Sequence, residues 1–193
     1  MTTGKVIIIS APSGCGKSTI IGLIMDRGDL DLCFSVSATN RPPRAGETDG
    51  VNYYFLSTEE FKRRIAAGEF VEWEEVYPGR YYGTLKSEIE RITKEGHNVV
   101  LDIDVKGGIN VMKMMGDKAV SIFFVPPSVE ELRRRLCSRA TDSPEDIENR
   151  VRKAEWEIGF APQYDYRVVN DDLDKAVAET HDIISNFIRN GRK

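Results

Sequence analysis

Long apolar runs are missing from this chain of 193 residues. None approaches the roughly 20 residues that a bilayer-spanning helix needs, so no membrane partner is expected. The first apolar stretch, Val6-Ile7-Ile8-Ile9, is too short for a signal peptide and reads as a buried strand. Cysteine is scarce: Cys15, Cys33 and Cys137 make an odd set without a CxxC pair, which argues against a disulfide framework or a zinc site and suits a reducing cytoplasm. Excess positive charge is missing too. A net charge of -4 argues against binding a nucleic-acid polymer. With only His97 and His181, both outside every motif, histidine acid–base catalysis is not expected. There are no repeats and no low-complexity linker, and 40 % hydrophobic with 30 % charged residues fits an ordinary globular chain.

What is present is an alternation of strand and helix patterns. Continuous apolar runs at 5–9, 98–104 and 119–125 read as buried parallel strands, with a further strand at 166–170. FSVSAT (34–39) reads as one short strand and FVEWEEVY (70–77) as an alternating, half-buried one with Trp73 turned to the core. Ser57 with Glu60 caps a helix to about Ala67, and Ser128 with Glu131 starts another. Ser143 followed by Pro144 opens a third, and helices are also expected at 18–27, 86–95 and 172–189. The expected fold is α/β, a P-loop NTPase-type core with a mainly parallel sheet, an inserted mixed α/β acceptor-binding subdomain and a helical lid. The division expected is 1–34, 96–127 and 159–193 for the core, 35–95 for the insert and 128–158 for the lid.

After the first strand stands Ala11-Pro12-Ser13-Gly14-Cys15-Gly16-Lys17-Ser18-Thr19, the phosphate-loop pattern with Ala in place of its first Gly. Its glycines let backbone N–H groups turn onto phosphates at a helix N-terminus. Lys17 is placed to reach the β- and γ-phosphates of ATP, and the Ser18 hydroxyl to ligate Mg²⁺. Ser13 to Thr19 are the residues expected to bind ATP, Cys15 through its backbone. Such a loop is shared by ATPases, GTPases, kinases and motors, so the acceptor must be read downstream.

Ser35 to Glu47, with Arg41, Pro43, Arg44 and Gly46, followed by Gly50, Tyr53 and Phe55, closely resembles the guanylate kinase signature (S-x-T-x-R-x-P-R-x-G-E, then G-x-x-Y-x-F). The resemblance continues through 69–84, 101–108, 126–136 and 168–176, nearly the whole chain. It implies transfer of the γ-phosphoryl of ATP to GMP, with dGMP as an expected second acceptor and Mg²⁺ as cofactor. It also implies that Arg41, Arg44, Tyr53 and Tyr82 hold the acceptor phosphate. Planar guanidinium forks and fixed phenols suit a group carrying nearly two negative charges. By the same resemblance Glu72 accepts from guanine N1 and N2 while Ser37 and Thr84 are the hydroxyls, one donating to O6. Asp102 and Asp104 are expected beside the acceptor or the magnesium, their roles undivided, with a cap or turn acid as the alternative.

Arg135, Arg139 and Arg150 match arginines that this family brings over the phosphates, and Lys17, Arg44, Arg139 and Arg150 form the expected catalytic set. For Asn170 and Asp171 two readings stay open, an adenine-side contact or a turn into the last helix. Lys106 departs from the Gln that many relatives carry. A non-catalytic scaffold module is disfavoured by the intact Gly16-Lys17-Ser18, and a GTPase by the lack of an NKxD motif. The sequence leaves monomer and homo-oligomer both open.

Overall fold

The computed structural model describes residues 4–137 and 144–192. Five strands, β1 (Val6–Ser10), β2 (Leu32–Phe34), β7 (Asn98–Asp102), β8 (Ala119–Val125) and β9 (Tyr166–Val169), form one all-parallel sheet in the order β2-β7-β1-β8-β9. Helices α1 (Lys17–Arg27) and α7 (Leu173–Asn190) cover one face of it, packing around Ile7, Ile9, Val100, Ile122 and Phe124. On the other face α3 (Lys86–Lys94) and α4 (Val105–Met115) enclose Ile8, Val99, Leu101 and Phe123. Both faces are buried, which is why these strands are continuous apolar runs rather than alternating ones.

A second sheet of mixed direction, in the order β4-β3-β6-β5, joins β3 (Ala38–Thr39), β4 (Tyr54–Phe55), β5 (Phe70–Tyr77) and β6 (Arg80–Leu85). With α2 (Thr58–Ala66) it closes over its own small core of Phe61, Phe70, Tyr81 and Leu85. Ser57 caps α2 by accepting from the Glu60 N–H, as its spacing predicts. Helices α5 (Val129–Cys137) and α6 (Pro144–Ile158) form a third packing unit around Leu132, Leu136, Val151 and Ala154. Ser128 accepts from the Glu131 N–H at the start of α5. Ser143, expected to open α6, lies outside the described residues, as does Arg139.

Four sequence expectations are corrected. The strand expected over 34–39 is two strands in different sheets, with Ser35 to Ser37 crossing between them. The run expected to reach residue 104 ends at Asp102, because Asp104 turns to cap α4 by accepting from the N–H groups of Lys106 and Gly107. Strand β5 does not alternate, since a bulge at Val71 shifts its pairing with β6. Phe70 therefore packs under the mixed sheet, Val71 into the core of the parallel one, and Glu72 faces Thr84. Trp73 is not a core residue but is 46 % exposed, its ring 6.2 Å from Tyr81.

Candidate active site

Open parallel sheets offer ligands the crevice beyond the carboxyl ends of their strands. Here β1 and β7 deliver the loop 11–16 and Asp102 to that edge, side by side. The loop bends through Gly14 (φ 87°) and Gly16 (φ 83°), left-handed conformations that other residues adopt only with strain. Residues 12 to 19 line a cavity of about 210 Å³ at the N-terminus of α1, whose first turn holds no acid and no capping side chain. The unpaired N–H groups of that turn face the cavity with the positive end of the helix dipole, which suits a polyphosphate.

Residues far along the chain support this loop. The Asn170 side chain, buried at the end of β9, donates from Nδ2 to the Cys15 carbonyl at 2.7 Å, and its backbone N–H donates to Val125. A side chain at Gly16 would meet that same Nδ2 at 2.5 Å, so glycine is needed there for close approach as well as for backbone angle. Asn170 thus braces the loop, while Asp171 is exposed and Asp172 caps α7. Leu132 and Leu136 of α5 press on Gly14. Arg135 donates to the Asn170 carbonyl at 3.0 Å and pairs with Glu131 at 2.8 Å. Burial pushes the Cys15 thiol up to about 12, so it stays a neutral packing group whose backbone serves the loop.

Lys17 is ion-paired with Asp102, and Asp102 also lines a second cavity. That cavity, about 210 Å³, is walled by Ser37, Tyr53, Glu72, Tyr82, Asp102 and Asp104 among others. Glu72 stands on it with its carboxyl bonded by the Thr84 hydroxyl at 2.7 Å. Burial pushes the Glu72 carboxyl up to about 7, against the lowering effect of Thr84, and the charge of Asp104 adds to the rise. Thr84 therefore spends its proton on Glu72, leaving Ser37 as the hydroxyl of this pair not engaged with the carboxylate. Behind Glu72 lies Gly107 of α4, where an added Cβ would approach its Oε2 to 3.3 Å.

At the other end of the cavity, Arg41 lies against the rings of Tyr53 (5.0 Å) and Phe55 (5.6 Å). Sequence reasoning gave Glu47 no role, yet it grips Arg41 by both oxygens (2.6 and 2.5 Å) and accepts from the Arg44 backbone N–H at 2.7 Å. Those donors, Arg41 first, hold the Glu47 carboxyl down to about 2. The Arg44 side chain is exposed and outside the cavity wall, and Arg150 is half-buried on α6. Another unassigned pair, Ser10 and Tyr164, ties the ends of β1 and β7 together. The Tyr164 hydroxyl donates to Ser10 at 2.8 Å, and Ser10 to the Ile103 carbonyl at 2.8 Å. Lys106 lies 5.2 Å over the ring of Trp156 and joins α4 to the end of α6. His97 and His181 pair with Asp31 and Asp29, away from both cavities.

Two concave sites bridged by one Lys–Asp pair suit transfer of a group between two anionic ligands. Known proteins carry the same arrangement of sequence. The chain is 57 % identical over 186 residues to a guanylate kinase of Bacteroides thetaiotaomicron, covering 96 % of this chain and 91 % of that one. With a guanylate kinase of Porphyromonas gingivalis it shares 58 % identity over 184 residues, 95 % and 98 % of the two chains. Its fold is similar to the crystal structure of guanylate kinase from Anaplasma phagocytophilum, at TM-score 0.69 and 36 % identity over 98 % of this chain and 86 % of that one. A family model described as guanylate kinase matches residues 3–187, and with relatives this similar along nearly its whole length, the chain belongs to the guanylate kinase family.

Proposed function

We propose that the two cavities divide a single phosphoryl transfer, the loop 12–19 holding ATP and the cavity at Glu72 holding GMP. The chain is an ATP:GMP phosphotransferase of that family, forming ADP and GDP. The observation that best supports the division of roles is Asp102, which pairs with Lys17 on one side and lines the acceptor cavity on the other. It puts the charge that serves the γ-phosphoryl beside the acceptor. A GMP phosphate oxygen attacks the γ-phosphorus, a P–O bond forms in line, and the bond to the ADP oxygen breaks. The attacking oxygen is already anionic, so the reaction asks for positioning and charge neutralisation rather than a general base.

In this reading the loop N–H groups and Lys17 hold the β- and γ-phosphates. Arg41, Arg44, Tyr53 and Tyr82 grip the GMP phosphate, with Glu47 setting the geometry of the two arginines. Glu72 accepts from guanine N1 and N2, Ser37 donates to O6, and Thr84 aims the carboxylate. Asp104, half spent as a helix cap, borders the nucleoside. Among the described residues no three ligating side chains cluster. A Ser18 hydroxyl at a phosphate cradle suits Mg²⁺, which takes most of its ligands from phosphates and water. When bound there, the ion neutralises charge on the β- and γ-phosphates.

Closure of segments 35–88 and 128–158 over the core brings Arg135 and Arg150 toward the phosphates and excludes water, with Arg139, outside the described residues, the third arginine of the expected set. Three unpaired cysteines suit the cytoplasm, and no helix of the described residues is long and apolar enough to cross a membrane.

The acceptor is tested by coupled ADP release with ATP, Mg²⁺ and each of GMP, AMP, CMP, UMP and dTMP. GMP is expected to exceed AMP by roughly 10⁴ in kcat/KM, since adenine sets an acceptor nitrogen against Glu72. Equal turnover of the two defeats the base-reading role.

A pH profile follows from the same carboxyl. Guanine binds the ionised form, and Glu72 in the free protein titrates at about 7. Below that pH, binding must expel a proton, so KM for GMP rises by about tenfold per unit, while the GMP phosphate, with a second pKa near 6, adds to the rise only lower down. KM values for both substrates between pH 6 and 8 check this, and the steep part belongs to GMP alone.

A further inference from the structure

The acceptor sheet joins the core sheet through Ser35, Val36 and Ser37, and Ser37 is in the cavity wall. The start of this crossing is pinned where the Ser35 N–H donates to the Val100 carbonyl at 3.0 Å, and its end where the Tyr54 N–H donates to the Ser37 carbonyl at 2.9 Å. The Ser35 hydroxyl is buried without a hydrogen-bond partner among the described residues, so that side chain contributes nothing to holding the segment. Between the two pins, the Val36 N–H donates to Oε1 of Glu88 at 3.3 Å.

Glu88 lies on α3, only 2 % exposed and outside the cavity wall. Its Oε2 accepts from the Tyr54 hydroxyl at 2.8 Å, and Arg91 grips both oxygens at 3.0 Å each. Burial pulls this carboxyl upward, but Arg91, Tyr54 and the Val36 N–H outweigh it and hold it below the usual range. The connection to the site is geometric. Successive side chains of extended backbone point to opposite sides, so while Tyr54 turns to Glu88, Tyr53 turns to the cavity and to Arg41. One buried carboxylate thus fastens two of the segments that line the cavity: the crossing that carries Ser37 and the stretch leading into β4 that carries Tyr53.

We propose that Glu88 is a positioning residue for the acceptor site, setting Ser37 and Tyr53 in register for the base and phosphate of GMP without touching the nucleotide. The proposal rests on the assignment of Ser37 and Tyr53 to GMP. Two variants test it. Glu88→Gln puts an amide N–H₂ where Arg91, Tyr54 or Val36 now donates, and Tyr54→Phe removes one link while leaving Arg91 and Val36 in place. Steady-state KM values for GMP and ATP are measured, with thermal unfolding as the check on folding.

KM for GMP is expected to rise about tenfold in Glu88→Gln and about threefold in Tyr54→Phe, the loss of one to two net hydrogen bonds, with KM for ATP within about twofold of wild type. A merely structural role would lower the folded fraction and leave both KM values in place. An unmoved KM for GMP, or equal rises for the two substrates, overturns the proposal; if Glu88→Gln does not fold, Tyr54→Phe decides alone. Wild type is run on GMP and AMP alongside. Failure to prefer GMP defeats the acceptor-site assignment, whereas a preference with unmoved KM values defeats only the role of Glu88.

Discussion

Replacing Lys17 with Ala is expected to lower kcat for phosphoryl transfer by about 10³ or more while the chain still folds. The size follows from the role proposed for the ammonium, a full charge at the phosphate being transferred: removing a single preorganised donor from such a site costs about 10² to 10³, with cations at the transferring group worth more. The structural cost is small. Lys17 and Asp102 are 20 % and 26 % exposed, so Asp102 stays wet when its partner is gone. A pair so placed contributes on the order of 1 kcal/mol, which lowers Tm by about 2–4 °C in a chain of this size. Single-turnover transfer and thermal unfolding, measured on the same sample, separate the two effects. Undiminished transfer would remove Lys17 from the reaction, and collapse of the fold would give it a different role.

Glu72→Gln should reduce kcat/KM for GMP by about 100-fold and, at pH 8, make the free protein more stable. The first effect comes from exchanging one acceptor oxygen for an N–H₂ that faces a guanine donor, a loss on the order of 3 kcal/mol. The second comes from burial. The folded pKa of Glu72, about 7, lies above the ordinary carboxylate value of 4.5, so the unfolded chain releases this proton more readily. Stability is thus lost as pH rises through the window from 4.5 to 7, and above it Glu72 costs the fold on the order of a few kcal/mol. Gln has no such proton. Thermal unfolding at pH 8 should favour the variant, and the advantage should shrink at pH 5. Opposite signs for stability and GMP use are the mark of a residue kept for its ligand.

Much of this was legible in the chain because its signals are local. The strands at 5–9, 98–102 and 119–125 announce themselves as unbroken apolar runs, and the phosphate loop by its glycines and Lys17 between strand and helix. What was not legible depends on distant neighbours. Helix α4 contains Gly107 and Gly108, each costing about 1 kcal/mol in a helix relative to Ala, so its propensity hides it. The glycines are there because a Cβ at 108 would come within 2.3 Å of the Tyr164 hydroxyl, and one at 107 within 3.2 Å of Glu72. Strands β3 and β4 are two residues each and exist only by pairing with others. Glu72 could be read from the signature, but not the bulge at Val71 that aims it. Glu88 and Tyr164 lie outside every motif, and Glu47 closes the signature without its role being readable there; the work of all three is visible only where segments meet.

The bond from Asn170 to the Cys15 carbonyl spans 155 positions. During synthesis the loop at 12–19 emerges long before the asparagine that braces it. A growing chain therefore lacks that brace until β9 has docked beside β8. The loop is thus fully supported only once the parallel sheet is complete, and a product ending before Asn170 is expected to hold ATP more weakly than this chain.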